Sequence, residues 1–171
     1  MQRQSALISN NVRCLREAAR LLETLDEAVY TESRTGAHLR HALDFYQCFL
    51  DGLGSSHIDY DARRRDESIE RSRETAAMAI RSIIYALETR PEARQERIVW
   101  VRMEDAGASG VRESFMESSL SRELQALSSH TVHHFALISL TLQLHGVQLD
   151  ADFGVAPSTL RYLASQTAEA A

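Results

Sequence analysis

The chain has 171 residues and a mass of 19.2 kDa, enough for one domain with a sizeable core. A net charge of -5 and a pI near 5.8 argue against a broad basic surface for nucleic acid. No run approaches the ~20 apolar residues of a membrane span, and the amino terminus lacks the apolar stretch of a signal peptide. The expectation is one cytoplasmic domain over residues 1–171, with neither membrane nor nucleic acid as partner. Cys14 and Cys48 form no CxxC pair and read as buried, reduced thiols.

The first helix is expected over residues 5–28, where Leu7, Val12, Leu15, Ala19, Leu22 and Leu25 recur with helical spacing. The second spans 36–53 and carries Leu39, Ala42, Leu43, Tyr46, Phe49, Leu50 and Leu53 on one broad face. His38 lies at a border of that face; His41 points away from its centre and reads as exposed. Residues 55–64 form a connector without a clear period, and roughly a dozen extended residues can reach about 40 Å. The chain can therefore return along a helix, and the second and third helices need not be antiparallel. The third helix spans 65–89, with Asp66 and Glu67 in its first turn and Pro91 as its stop.

Residues 98–115 change character. Ile98 to Met103 is β-branched and aromatic, Glu104 to Gly110 is a turn cluster, and Val111 to Phe115 alternates. A β-hairpin is expected there, with Trp100 packed inside it. The fourth helix spans 118–145, with a stripe of Leu120, Leu124, Leu127, Thr131 and Ile138 and with Gly146 as its end. A short fifth helix is expected from Pro157. Four long amphipathic helices imply an all-α four-helix bundle, in which cofactor sites are built from side chains on facing helices.

Three histidines cluster in the middle of the fourth helix. His130 and His134 are four residues apart and stack on one shoulder of its stripe. Such a pair can supply two ligands to one ion, and His38 is the candidate third. Three histidines with an open position make a catalytic type of divalent-metal site. His133 offers an i,i+3 alternative to His134 but faces further toward solvent. Glu123 is a candidate partner for a histidine, although a structural salt bridge is the plainer reading at two turns' distance. Tyr60, Asp61, Arg63, Arg65 and Asp66 form a polar patch that would either anchor an anionic substrate or serve as caps and surface ion pairs. The residues alone leave a metal site and incidental histidines both open.

The stretch Gly36-Ala-His38-Leu-Arg-His41-Ala-Leu-Asp44-Phe-Tyr46 resembles the second helix of the DinB-like superfamily. Ser129-His130-Thr-Val-His133-His134-Phe-Ala-Leu-Ile138 resembles its fourth-helix motif. The resemblance covers nearly the whole chain. It implies an up-down-down-up bundle and a divalent metal, zinc or nickel, on His38, His130 and His134. His41 and Arg65 become candidates for second-layer or substrate contact, as does Glu123. Relatives of this kind include thiol-dependent S-transferases, a thiol-dependent isomerase and hydrolases, so a metal-dependent transferase or hydrolase is expected. Its substrate would be a small molecule, with a low-molecular-weight thiol as candidate. A non-catalytic metal- or ligand-binding bundle is the alternative. Relatives often form dimers, and the apolar strand 98–103 is a candidate interface for a homodimer.

Overall fold

The computed structural model describes residues 2–103 and 114–169. It is mainly helical, with seven α-helices and a three-stranded sheet among those residues. The first expected helix ends early. α1 (Gln2–Thr24) stops before Asp26, which is extended, and α2 (Glu27–Glu32) follows as a short separate turn. The break lets α2 plant Tyr30 in the core, where its hydroxyl donates to the carbonyl of Ile69. α3 (Thr35–Gly52) buries six of the seven residues of the expected apolar face, and the seventh, Leu53, is buried as the residue that caps its end. At its start Gly36 has no room for a side chain: a Cβ there would sit 2.3 Å from the Glu70 carbonyl oxygen.

The third expected helix is also divided. α4 (Glu67–Arg71) and α5 (Arg73–Thr89) meet at Ser72, whose backbone is extended. Its hydroxyl accepts from the Thr75 amide, while Asp66 accepts from the Ser68 amide. Each piece therefore has its own N-cap, and the local hydrogen bonds make the break inexpensive. α6 (Leu120–Leu144) is one uninterrupted helix. Its expected stripe is buried, together with Phe135 and Leu142. Gly146, at φ +76, ends it in the left-handed conformation.

Pairwise contacts fix the directions of the four long helices. Gln4 meets Ser121 and Asn11 meets Leu124, so α1 and α6 run parallel. Arg16 meets Glu88 and Arg73 meets Leu22, so α1 and α5 are antiparallel. Gly36 lies on Glu70 and Arg90 reaches Leu50, so α3 and the α4–α5 unit run parallel. His38 meets His134 and Tyr46 meets Thr131, so α3 and α6 are antiparallel. The result is an up-down-down-up bundle, in which the 53–66 connector carries the chain back between two parallel helices.

That connector contains a strand that sequence patterning does not reveal. β1 (His57–Asp59) pairs in parallel with β2 (Ile98–Arg102), which pairs antiparallel with β3 (Met116–Ser119). Three residues are too few to show a period, and only fully buried Ile58 marks the inward face. The expected hairpin is present, with its second strand at 116–119; of the expected 111–115, the described residues 114 and 115 precede that strand. Met-Glu-Ser-Ser has weak intrinsic strand preference; pairing with β2 imposes the conformation. The turn cluster 104–110 and residues 111–113 lie outside the described residues. Trp100 is not packed inside: it alternates outward with Ile98 and is 41% exposed. After α6 the chain folds back, and Phe153 stacks on Phe135 with centroids 5.0 Å apart. α7 (Pro157–Glu169) then closes the described chain and is longer than the short helix expected there.

No helix among the described residues is long and apolar enough to cross a membrane. Cys14 and Cys48 are buried and free, and burial raises both thiol pKa values, that of Cys48 to about 11.

Candidate metal centre

The site lies between α3 and α6, and a polar ladder below it sets their register. Tyr46 Oη donates to Asn11 Oδ1 at 2.7 Å and lies 3.1 Å from Thr131 Oγ1. Asn11 Nδ2 donates to the carbonyls of Leu7 and Leu124. This ladder joins α1, α3 and α6 in the core. It holds Tyr46 level with Thr131, and so brings the next turns of α3 alongside His130 and His134.

Those turns present His38, His41 and Phe45, spaced three and then four residues apart. At 100° per residue His38 and His41 are about 60° apart, on one flank. His41 is half-buried rather than solvent-exposed. Its ring centroid is 4.8 Å from that of His134 and 5.1 Å from that of His130. Distance from the core stripe predicts exposure only where nothing covers the flank; here α6 covers it. Ligand nitrogens of His41, His130 and His134 all lie within 4.8 Å of one another, so these three residues can hold a metal ion. His38 adjoins this group: its Nδ1 is 3.1 Å from Nδ1 of His134. His133 is exposed, as its angle on the helix suggests.

Two features suit the group to an ion. Nε2 of His130 is buried and has no hydrogen-bond partner among the described residues, which is uncommon for a ring nitrogen in a folded interior. All four inward imidazoles also have lowered pKa values, with desolvation as the largest cause. His130 is depressed to about 4, with His41, His133 and Arg63 adding to the effect; His134 is depressed to about 3, with the neighbouring histidines adding. His38 and His41 shift the same way, helped by Arg34 and Arg63 respectively. At neutral pH the rings are uncharged and each has one nitrogen lone pair, of which the His38–His134 contact engages one. A tetrahedral ion with bonds of about 2.0–2.1 Å to nitrogen needs ligand atoms about 3.4 Å apart, which small ring rotations supply from the present spacing. An all-imidazole set suits zinc, nickel, copper or iron and does not choose among them.

The remaining expected residues are placed differently. Glu123 makes no salt bridge among the described residues. It is 5% exposed, and its carboxylate accepts from Tyr60 Oη at 2.9 Å and Ser118 Oγ at 2.6 Å. The Arg65 side chain is exposed; its contribution is a backbone N–H donated to Asp44, from a φ of 51°. The arginine that reaches the site is Arg63, whose guanidinium carbon lies 5.4 Å from the Phe45 ring centroid. The polar patch 60–66 signals such a residue, but which arginine turns inward depends on the fold of the connector.

Beside the histidines is a cleft of about 840 Å³, with Phe45, Tyr60, Val101, Met116, Glu123 and His130 in its wall. It is large enough for a small-molecule ligand. A second cavity of about 510 Å³ lies between α1, α6 and the segment 148–160, away from the clustered histidines.

Fold and site together define a helical-bundle protein with a histidine group able to hold a metal beside a ligand-sized cleft. No family model and no solved structure matches the chain. It is similar to FK506-binding protein 5 of Rhizopus delemar, 30% identical over 109 residues, which is 64% of this chain and 28% of that protein. The chain thus spans less than a third of that relative's length, and the likeness assigns no family.

Proposed function

We propose that the protein is a divalent-metal-dependent enzyme of the DinB-like kind, acting on a small molecule in the cleft beside His130. The observation that carries this reading is the group His41, His130 and His134, in which the buried Nε2 of His130 has no partner among the described residues. These three residues would hold the ion. A bound divalent ion supplies Lewis acidity, which lowers the pKa of a thiol or water and favours S-transfer or hydrolysis. His38 supports the set from behind. If the His134 Nδ1–H donates to Nδ1 of His38, Nε2 of His134 is left with its lone pair for the ion. The resemblance assigns His38 the ligand role itself, and substitution separates the two assignments.

The first test is elemental analysis of protein purified without a histidine tag, followed by titration with zinc and nickel. About one equivalent bound supports the reading; less than about a tenth, with no uptake, removes it. Turnover is tested by pairing low-molecular-weight thiols with electrophiles, alongside ester and amide hydrolysis. One observation favours a second reading, a metal-binding protein without catalysis: Glu123, the carboxylate in the cleft wall, is occupied by two hydroxyl donors. Tight metal with no turnover on any of these substrates favours that reading.

A further inference from the structure

Phe45 touches two of the three residues that can hold the ion. Its ring centroid is 4.3 Å from that of His130 on α6 and 5.1 Å from that of His41, one turn away on α3. The ring is only half-buried and forms part of the cleft wall, so it has room to turn. Tyr60 stacks on it, with centroids 5.1 Å apart and planes 26° apart. Tyr60 is itself buried, and its hydroxyl donates to one oxygen of the Glu123 carboxylate at 2.9 Å. The Ser118 hydroxyl holds the other oxygen at 2.6 Å. Glu123 lies on α6, seven residues before His130 and about 10 Å from it along the axis. Contacts therefore run from α6 through the connector and α3 and back to α6. A carboxylate removed from water is costly, and an apolar pair of similar shape would fill this space at lower cost. What the carboxylate adds is direction: a hydrogen bond fixes the place of the Tyr60 ring, where apolar packing tolerates several.

We infer that Glu123 and Tyr60 are positioning residues of the metal centre: their hydrogen bond braces Phe45 against His41 and His130 and so holds these two imidazoles where they can share one ion. The inference rests on the metal reading proposed above. Braced rings lose less freedom when the ion binds, so the brace strengthens binding without touching the metal. Glu123 thus acts on the histidines through two intervening rings and not by contact. The same rings line the cleft, which keeps Phe45 from turning into the space that a ligand would use.

The test reads zinc affinity by chelator competition, and the visible absorption of the cobalt-loaded protein, which follows coordination number and geometry. Phe45→Leu and Tyr60→Leu remove a ring of the brace; each is expected to weaken zinc binding by about tenfold or more and to change the cobalt absorption. Tyr60→Phe and Glu123→Leu break the tether but keep both rings, and shift the two readouts the same way by less. Glu123→Gln retains an acceptor for the Tyr60 hydroxyl and keeps the parent values. Leu87→Ala, a truncation of the buried core on α5, lowers the melting temperature but leaves both readouts unchanged. Circular dichroism verifies that each variant is folded. Affinity and absorption unchanged in both Phe45→Leu and Tyr60→Leu overturn the inference. So does an equal loss in Leu87→Ala, because metal binding would then follow stability alone. A loss in Glu123→Gln as large as in Glu123→Leu also overturns it, since charge and not the tether would be responsible. If the parent protein takes up neither zinc nor cobalt, the metal reading fails and this inference with it; if the parent binds about one equivalent and the ring variants bind as tightly, this inference alone fails.

Discussion

Two polar clusters bridge α3 and α6 within two helical turns of each other, and they differ in how their hydrogen-bonding capacity is used. In the lower one, Asn11, Tyr46 and Thr131 satisfy one another and the backbone carbonyls of Leu7, Leu124 and Leu127. In the upper one, four imidazoles face together and the buried Nε2 of His130 has no partner among the described residues. A saturated buried network holds helices in register. An unsaturated group of neutral, half-buried bases beside a cleft can accept a ligand from outside. Burial alone does not separate them; the count of unmet acceptors does.

The comparison is broken most severely by removing a ligand. His41→Ala, His130→Ala and His134→Ala are each expected to weaken zinc or nickel binding by about a hundredfold or more, because two nitrogens no longer close the site. Their melting temperatures without metal should change little, since the half-buried rings satisfy few internal hydrogen bonds. Titration with a competing chelator measures the first effect and thermal unfolding the second. Undiminished affinity in His41→Ala with complete loss in His38→Ala would transfer the third ligand to His38.

The reverse pattern is expected below. Tyr46→Phe leaves Asn11 Oδ1 buried without its donor, which costs about 1–3 kcal/mol of stability. Metal uptake should survive in the protein that remains folded. Denaturant unfolding of Tyr46→Phe beside His134→Ala measures whether stability and binding separate in this way.

Sequence legibility follows the same division. Periodic apolar faces marked α1, α3, α5 and α6, because long helices repeat their signal over many turns. The breaks at Asp26 and Ser72 were not legible, since a polar cap inside a helical pattern looks like an ordinary surface residue. β1 was invisible because its conformation comes from pairing with β2, forty residues on. At the site, His130 and His134 were readable from their spacing on one helix. The burial of His41 is not readable, because the angle on α3 does not say which flank α6 covers. Arg63 was one member of a patch, and only the path of the connector sets it apart from Arg65. Glu123 reads as an ion-pair residue but is held by two hydroxyls: that of Ser118, just ahead of its own helix, and that of Tyr60, remote in sequence on the connector.

Acid sharpens the contrast more gently. The folded-state pKa values of His130 and His134 are about 4 and 3, below the value near 6.5 of an unfolded chain. As pH falls below about 6.5 the unfolded state takes up protons that these folded residues refuse, so stability declines toward pH 4. Above pH 7 this contribution is fully present and flat. Melting temperatures of metal-free protein between pH 7.5 and 5 should show the decline, in a window where most carboxylates remain ionised. His130→Asn and His134→Asn should each flatten it, whereas Tyr46→Phe should lower the curve without changing its slope. A slope unchanged in both histidine variants would mean that other groups govern it.

The smallest effect is expected from His38→Ala. If His38 supports His134 from behind, its loss frees the His134 ring to change tautomer and orientation without taking a nitrogen from the ion. Affinity should then fall by about tenfold, at the lower end of what removing an outer partner of a metal ligand costs. His38→Gln keeps a side-chain carbonyl that can accept from the His134 Nδ1–H, and should recover most of the loss. Chelator competition on the two variants measures both quantities. Recovery by glutamine identifies a hydrogen-bond acceptor, because an amide cannot replace an imidazole as a tight ligand. If both variants lose metal as completely as His134→Ala, His38 is a ligand in its own right.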